Sequence, residues 1–84
     1  MASNSSKTAA EIERFVVDRV ADLKGVAAEA VDVNASFAAL GLDSVAAVHL
    51  GGELEDWLGL ELPATITYDF PTIAKLSAYL GRAQ

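Results

Sequence analysis

One serine stands where a turn meets the start of a predicted helix, a junction that favours phosphate chemistry. In the segment 39–45, ALGLDSV, Gly41 can end the turn in a left-handed conformation, and either Asp43 or Ser44 can cap the helix. Unpaired N–H groups and the positive end of the helix dipole lie at such a position, so a phosphodiester on Ser44 would be stabilised there. An Asp-Ser pair alone is more typical of a simple N-cap than of a modified serine. The residues on either side of the pair must decide between these two interpretations.

Nucleophilic catalysis by Ser44 is disfavoured by the position of the nearest base. A serine hydrolase needs a base beside its nucleophile, and the only histidine, His49, comes five residues later on the same predicted helix. Five residues rotate a side chain by about 140° around the helix axis. Neither an oxyanion hole nor a substrate pocket is evident in the sequence, so we expect no catalytic residue.

A calcium loop is the second alternative that the sequence raises. Asp32, Asn34 and Ser36 occupy alternate positions, and Asp43 falls at the twelfth position, as in an EF-hand loop. The sixth position of that loop requires glycine for a sharp turn but holds Phe37, and the twelfth prefers a bidentate glutamate. We therefore expect no metal site.

The elements that must position Ser44 are predicted to be helices. A capping box of Thr8 and Glu11 and an apolar repeat that includes Phe15 and Leu23 predict a first helix over 9–24, which Gly25 ends. A long loop should follow, pinned to the core by a short turn that Ser36 caps. A second helix then runs from Asp43 or Ser44 to about Gly59; its apolar stripe is Ala47, Leu50, Leu54, Trp57 and Leu58.

The remainder of the chain should complete a small bundle. The segment 60–70 offers apolar side chains, Tyr68 among them, that could cover the open faces, and a short third helix is expected there. Pro71 suits the first turn of a last helix, with Gly81 as its stop. The predicted fold is all-α: an antiparallel bundle of three main helices plus a short helix, with a long loop between helices one and two. Residues 1–7 are expected to be a disordered leader or linker, and 8–84 the folded domain.

Size and charge narrow the function classes. With 84 residues, 52% of them hydrophobic, there is room for one small core but hardly for an enclosed substrate cavity. The absence of cysteine excludes disulfides and thiolate chemistry from the protein itself. A formal net charge of -6 disfavours nucleic acid and anionic membranes and favours neutral or basic protein surfaces. No apolar run approaches the roughly 20 residues that span a bilayer, so we expect a cytoplasmic protein, monomeric as an isolated domain.

The chain after its polar leader resembles the acyl carrier protein family. The resemblance lies in LGLDSV at 40–45 and, at the expected distance downstream, in LPAT at 62–65 and YDFPT at 68–72. It implies that a phosphopantetheinyl transferase moves 4'-phosphopantetheine from coenzyme A onto Ser44, and that the thiol of this arm then carries acyl groups as thioesters. It also implies that the partners include acyltransferase, ketosynthase and other synthase domains. Asp43 would help the transferase to recognise the site, and Val45 would offer partners an apolar contact.

The subfamily is indicated by two details of the same segments. The DFPT stretch at 69–72 resembles the acyl carrier domains of modular polyketide synthases more than freestanding fatty acid carriers. Peptidyl carriers usually have two glycines directly before the Asp-Ser or His-Ser pair that contains the modified serine. Here Leu42 occupies the position of the second glycine. An acyl cargo is therefore favoured, with a peptidyl or aryl carrier, or an unmodified helical interaction module, as the alternatives.

A candidate partner face is predicted on the second helix. Val45, His49, Gly52 and Asp56 follow one another at four, three and four residues, nearly opposite the apolar stripe. The family often has glutamate where His49 stands, and a glycine in a helix interior costs roughly 1 kcal/mol relative to alanine. These departures lead to the hypothesis that docking relies on shape and on Val45 more than on charge.

Overall fold

The computed structural model describes residues 7–83 of the chain, which fold as four α-helices. They are α1 (Ala9–Lys24), α2 (Ser44–Leu58), α3 (Ile66–Asp69) and α4 (Ile73–Ala83), and a 3-10 turn (Ala28–Ala30) lies in the loop between α1 and α2. Within these residues β-pairing is limited to one isolated bridge, between Ser36 and Thr72. The predicted all-α fold, with three main helices, a short one and a long loop, is confirmed. The first six residues of the expected leader lie outside the described residues.

The ends of α1 follow the signals that predicted them. The Thr8 hydroxyl accepts a hydrogen bond from the Glu11 N–H at 3.1 Å, and the Glu11 carboxylate accepts one from the Thr8 N–H at 2.8 Å. This capping box satisfies two of the N–H groups that the first turn leaves unpaired. At the other end Gly25 is left-handed, with φ of +69°, which glycine adopts without steric cost.

The core lies where α1, α2 and α4 meet, and the long loop adds to it. The most deeply buried side chains are aliphatic: Ile12, Val16, Val20, Leu50, Leu54, Ile73, Leu76 and Leu80. The burial of each one stabilises the fold by about 1.5–3 kcal/mol. The loop contributes Val31, Phe37, Leu40 and Leu42, and α3 contributes Ile66.

The predicted limits of the last helix were wrong at both ends. Pro71 precedes α4, and the first turn is capped instead by Thr72, whose hydroxyl accepts a hydrogen bond from the Lys75 N–H at 3.1 Å. Gly81 does not stop the helix, because α4 continues through it to Ala83. The reason for glycine at this position is therefore tertiary rather than local.

Two apolar side chains that were expected to face inward are exposed. Leu23 is 56% exposed, because the whole run 22–27 at the end of α1 projects beyond the core. Tyr68 is 66% exposed, since α3 is a single turn whose inward residues are Ile66 and Thr67. Two residues after Ile66, a side chain points to nearly the opposite side of a helix.

In the part of the chain that the structure describes, no helix is long and apolar enough to cross a membrane.

Candidate functional site

Ser44 is the first residue of α2, and its side chain is exposed. Asp43 is the N-cap: its carboxylate accepts a hydrogen bond from the Ala46 N–H at 2.8 Å, and its backbone carbonyl accepts one from the Ala47 N–H at 2.9 Å. The backbone N–H groups of Ser44 and Val45 have no acceptor within the helix, because the first N–H groups of any α-helix lie before its first hydrogen-bonded turn. The hydroxyl therefore stands at the positive end of a fifteen-residue helix.

The loop that leads to Ser44 is tied to the segment before α4. The Phe37 N–H donates to the Pro71 carbonyl at 2.9 Å, and the Leu42 N–H donates back to the Phe37 carbonyl at 3.0 Å. Ser36 caps the intervening turn, as predicted, by accepting from the Ala39 N–H at 3.0 Å. With Phe37 and Leu42 both buried, the backbone next to Ser44 is fixed by packing and by hydrogen bonds.

A groove of about 360 Å³ opens beside Ser44, between α2 and α3. Apolar side chains of the loop and of α2 form much of its wall, and Tyr68 stands at its rim. The side chain of Thr67 lines it from α3. Such a mostly apolar groove with a few polar groups is typical of a small-ligand site, and its volume is near the lower end of the roughly 300–1,000 Å³ range of such sites.

The only histidine is not oriented to act as a base for Ser44. The His49 Nε2 atom lies 3.8 Å from a carboxylate oxygen of Glu53, one turn further along α2. The second oxygen of Glu53 is 3.8 Å from Arg19 Nε on α1. Among the described residues, Ser44 Oγ has no hydrogen-bond partner. A nucleophile and base pair is therefore not formed between these residues.

The residues predicted for the partner face lie on α2, and three of the four are exposed. Val45 is 78% exposed, and His49 and Asp56 are also exposed, while Gly52 is half-buried. Sequence reasoning missed Val48, which is exposed on the same helix three residues after Val45. The spacing of three residues was the signal that could have found it.

The acidic end of α2 is partly engaged in the fold. The carboxylate of Glu55 accepts a short hydrogen bond, 2.6 Å, from the Leu62 N–H, and this bond fixes the start of the loop to α3. Glu53 lies between Arg19 and His49. Of the three acidic residues Glu53, Glu55 and Asp56, Asp56 alone has a side chain that makes no hydrogen bond or ion pair with a described residue.

The aromatic side chains of Phe37 and Trp57 both pack within the fold, and Phe37 also lines the groove beside Ser44. Phe37 is 4% exposed, and Trp57 stacks on Phe15 with the ring centroids 4.3 Å apart. Stacking of this kind joins the end of α2 to the middle of α1.

Comparison with known proteins defines the class. Residues 14–80 match the family model described as a phosphopantetheine attachment site, so the chain belongs to the phosphopantetheine-attachment family. Within this family it is a carrier domain of the kind found in polyketide synthases. Polyketide synthase GfsB of Streptomyces halstedii is 40% identical over 78 residues, which are 87% of this chain, and erythronolide synthase EryA3 of Saccharopolyspora erythraea is 36% identical over 76 residues, 89% of it. The match spans only 1% and 2% of those two proteins' lengths.

Solved carrier proteins share the fold. Asl1650, an acyl carrier protein from Anabaena sp. PCC 7120, superposes with a TM-score of 0.87 and 32% identity, covering 99% of this chain and 94% of that one. A free-standing peptidyl carrier protein from Acinetobacter baumannii superposes with a TM-score of 0.82 and 35% identity, covering 96% and 100%. The fold therefore serves both acyl and peptidyl carriers and does not separate them.

The residues beside Ser44 fit the group that this family attaches covalently, 4'-phosphopantetheine. The exposed hydroxyl at a helix start suits a phosphodiester. The apolar walls of the adjoining groove suit the arm's dimethyl group, and the Thr67 hydroxyl offers a partner for one of its amides.

Proposed function

We propose that Ser44 is the attachment residue and that the domain carries acyl intermediates as thioesters on a phosphopantetheine arm. The observation that carries this proposal is the position of Ser44: it is an exposed serine at the start of α2, inside the span that matches the family. When bound, the arm supplies a thiol that forms the thioester. In the attachment step the Ser44 oxygen bonds to the β-phosphorus of coenzyme A, and the pyrophosphate bond breaks. Adenosine 3',5'-bisphosphate leaves, and the hydroxyl proton passes to a base of the transferase.

The neighbours of Ser44 have separate roles in this proposal. The first-turn amides of α2 stabilise the phosphodiester, and Asp43 holds the helix start while it presents a carboxylate to the transferase. Val45 offers an apolar contact next to the attachment point, and the face formed by His49, Gly52 and Asp56 meets the partner further along α2.

The domain itself acts without catalysis in this proposal. A passive Ser44 is supported by the position of His49, whose Nε2 atom lies 3.8 Å from a carboxylate oxygen of Glu53, one turn further along α2. The transferase performs the loading, and acyltransferase, ketosynthase and other synthase domains act on the cargo. We propose a cytoplasmic setting for this work.

An acyl cargo of polyketide biosynthesis is favoured by the names of the relatives, both of which are synthases of that kind. A peptidyl cargo is the second candidate, because a peptidyl carrier protein is among the similar structures. Incubation of the loaded domain with acyl and aminoacyl donors and their transferring enzymes, followed by mass analysis, separates the two.

Intact mass tests the attachment. The protein is incubated with coenzyme A and a broad-specificity phosphopantetheinyl transferase, and we expect the mass of one arm to be added. Ser44→Ala should abolish the addition, while Ser36→Ala, a change in the neighbouring turn, should retain it. An unchanged mass in the unmutated, folded protein would overturn the proposal, as would loading of Ser44→Ala.

A further inference from the structure

Among the helices that the structure describes, α4 alone has charged side chains that are all basic. The twelve acidic residues of the chain all lie between Glu11 and Asp69, before α4 begins, whereas α4 contains Lys75 and Arg82. The net charge of -6 therefore comes from the rest of the domain, and α4 presents a positive surface on an otherwise acidic protein. A local surface of this sign attracts an acidic partner.

The two basic side chains lie on one face of α4 together with Tyr79. Positions 75, 79 and 82 follow one another at four and three residues, so the three side chains share one side of the helix. We call Lys75, Tyr79 and Arg82 the basic stripe. All three are exposed, while the other side of α4 is buried through Ile73, Leu76, Ser77 and Leu80. Lys75 and Arg82 are about two turns apart, or roughly 10 Å along the helix axis.

Both cations of the basic stripe are unpaired among the described residues. Their side chains form no ion pair or hydrogen bond there, whereas both arginines of α1 lie within ion-pair distance of a carboxylate. Arg82 is in the last turn of α4, where a cation suits the helix dipole, but Lys75 is in the first turn, where a cation is unfavourable. The stability of the domain therefore does not account for a lysine at position 75.

Tyr79 gives the basic stripe a fixed aromatic contact at its middle. Its ring stacks on Phe70, with the ring centroids 4.2 Å apart and the ring planes 15° from parallel, and the residue is still 36% exposed. A side chain that is held in place before binding loses little conformational entropy at an interface. Tyrosine and arginine are enriched at interfaces, and the small, exposed Ala78 leaves room for a partner to approach this side of α4.

The size and charge of the basic stripe decide what kind of partner fits. DNA and anionic membranes are disfavoured, because an extended array of negative charge would also meet the acidic remainder of the domain. A second copy is disfavoured as well, because two molecules with a net charge of -6 repel each other. A helix with two carboxylates on one face, two turns apart, matches Lys75 and Arg82 in spacing and in sign.

We infer that the basic stripe of α4 is a docking surface for an acidic helix of another protein. Two carboxylates of that helix, seven residues apart, pair with Lys75 and Arg82, and an apolar side chain between them packs on Tyr79. The contact uses no residue of α2, so it is separate from the partner face of that helix. It goes beyond the proposed function and does not depend on attachment at Ser44.

Nuclear magnetic resonance titration of the unloaded, nitrogen-15-labelled domain with a synthetic peptide tests this inference. The peptide has about 18 residues, enough to form a helix, with two glutamates seven positions apart, a leucine between them, and alanine and glutamine elsewhere. We expect the signals of residues 75–82 to shift, and the affinity to decrease with added salt, since exposed ion pairs are screened. A peptide of the same composition with its glutamates on opposite faces should bind about fivefold more weakly, the factor of one exposed ion pair.

Charge reversal on α4 supplies the decisive variant. Lys75→Glu should weaken binding of the peptide by about fivefold or more, because repulsion replaces an ion pair. The variant stays folded, since an acidic residue in the first turn suits the helix dipole. Lys24→Glu is the matched control: it makes the same charge change at an exposed lysine at the end of α1. The control should change the affinity by less than about twofold, because a distant charge is screened.

Equal weakening by Lys75→Glu and Lys24→Glu would overturn the inference, because net charge alone would then explain binding. An absence of shifts at residues 75–82 in the unmutated domain would also overturn it. The other occupants are tested with a DNA duplex, with vesicles of equal parts phosphatidylcholine and phosphatidylglycerol, and by sedimentation of the domain alone. Binding of the duplex or the vesicles as tight as that of the peptide, or self-association that Lys75→Glu abolishes, would contradict an acidic helix as the partner.

Discussion

A Cβ atom added to Gly81 would lie 2.9 Å from the Cβ of Ala9 and equally close to its backbone nitrogen. Real Cβ atoms do not approach other atoms so closely, and the backbone of α1 cannot rotate away as a side chain can. The end of α4 therefore crosses the beginning of α1 at a distance that only glycine permits. Because α1 and α4 form the largest interhelical contact of the fold, this crossing helps to set how the whole bundle closes.

Gly81→Ala is expected to lower the free energy of unfolding by up to about 2 kcal/mol. Alanine gains roughly 1 kcal/mol in helix propensity, but the added methyl group collides with Ala9, and overpacking of this kind costs about 1–3 kcal/mol or more. Urea denaturation followed by circular dichroism measures the change. A variant that is more stable by about 1 kcal/mol, the full gain in helix propensity, would show that the two helices separate at no cost.

Gly52→Ala provides the opposite case and should raise the free energy of unfolding by about 1 kcal/mol. An added Cβ at Gly52 meets nothing within 4 Å, and the residue does not adopt a positive φ. The fold therefore gains helix propensity without a collision. The same denaturation experiment checks this, and a loss of stability would contradict the interpretation of Gly52 as a residue without an internal packing role.

Ser77→Ala should also stabilise the domain. The Ser77 hydroxyl is buried, 2% exposed, and has no partner among the described residues. Removing it relieves a penalty of about 1 kcal/mol and leaves only a very small void. Ser44→Ala, at an exposed serine, serves as the control and should change thermal stability much less. A destabilised Ser77→Ala would point to an ordered water or a helix carbonyl that satisfies the hydroxyl.

Two substitutions of Asp43 separate helix capping from recognition. Asp43→Asn keeps an N-cap oxygen and should leave stability almost unchanged, whereas Asp43→Ala should lose about 1 kcal/mol because the Ala46 N–H is left without its partner. If the carboxylate is recognised by the transferase, both variants load more slowly by a similar factor. Loading that is slow only in Asp43→Ala would show that the transferase depends on the helix start and not on the charge.

Docking to the transferase should depend weakly on ionic strength and strongly on Val45. Glu53 is paired with Arg19 and the Glu55 carboxylate is held by the Leu62 N–H, so Asp56 is the acidic side chain of α2 that stays open to a partner. We expect Val45→Ser to weaken binding in a titration by calorimetry, while added salt changes the affinity of the unmutated domain only slightly. A steep decrease of affinity with salt would contradict this expectation.

The sequence predicted those features of the fold that depend on neighbours along the chain. The Thr8 and Glu11 capping box and the left-handed Gly25 are local, because the groups that bond lie within a few residues of one another. The prediction that Gly81 stops the last helix was wrong because the role of this glycine is not local. A glycine near a helix end can stop the helix or let a neighbouring helix come close, and the contact with Ala9, which is distant in sequence, decides between the two.

The candidate site shows the same division. Ser44 was predicted from the sequence because its local motif and the start of α2 coincide there. Thr67 was not, since it stands 23 positions away and lines the groove only after α3 has packed against α2. Tyr68 was assigned to the core by its apolar character, and the single turn of α3 directs it outward instead.

The loop before Ser44 is held to the segment around α4 at two points, Phe37 to Pro71 and Val33 to Ala74. If Ser44 is the attachment residue, as proposed, these bonds hold the attachment point in place relative to the bundle. If the attachment point cannot shift relative to the bundle, any reach beyond the length of the arm has to come from displacement of the entire domain. Each active site that the cargo visits must then lie within one arm's length of Ser44 Oγ, measured from a docked and correctly oriented carrier. The timing of successive reactions would be governed by how quickly the domain leaves one partner and turns toward the next.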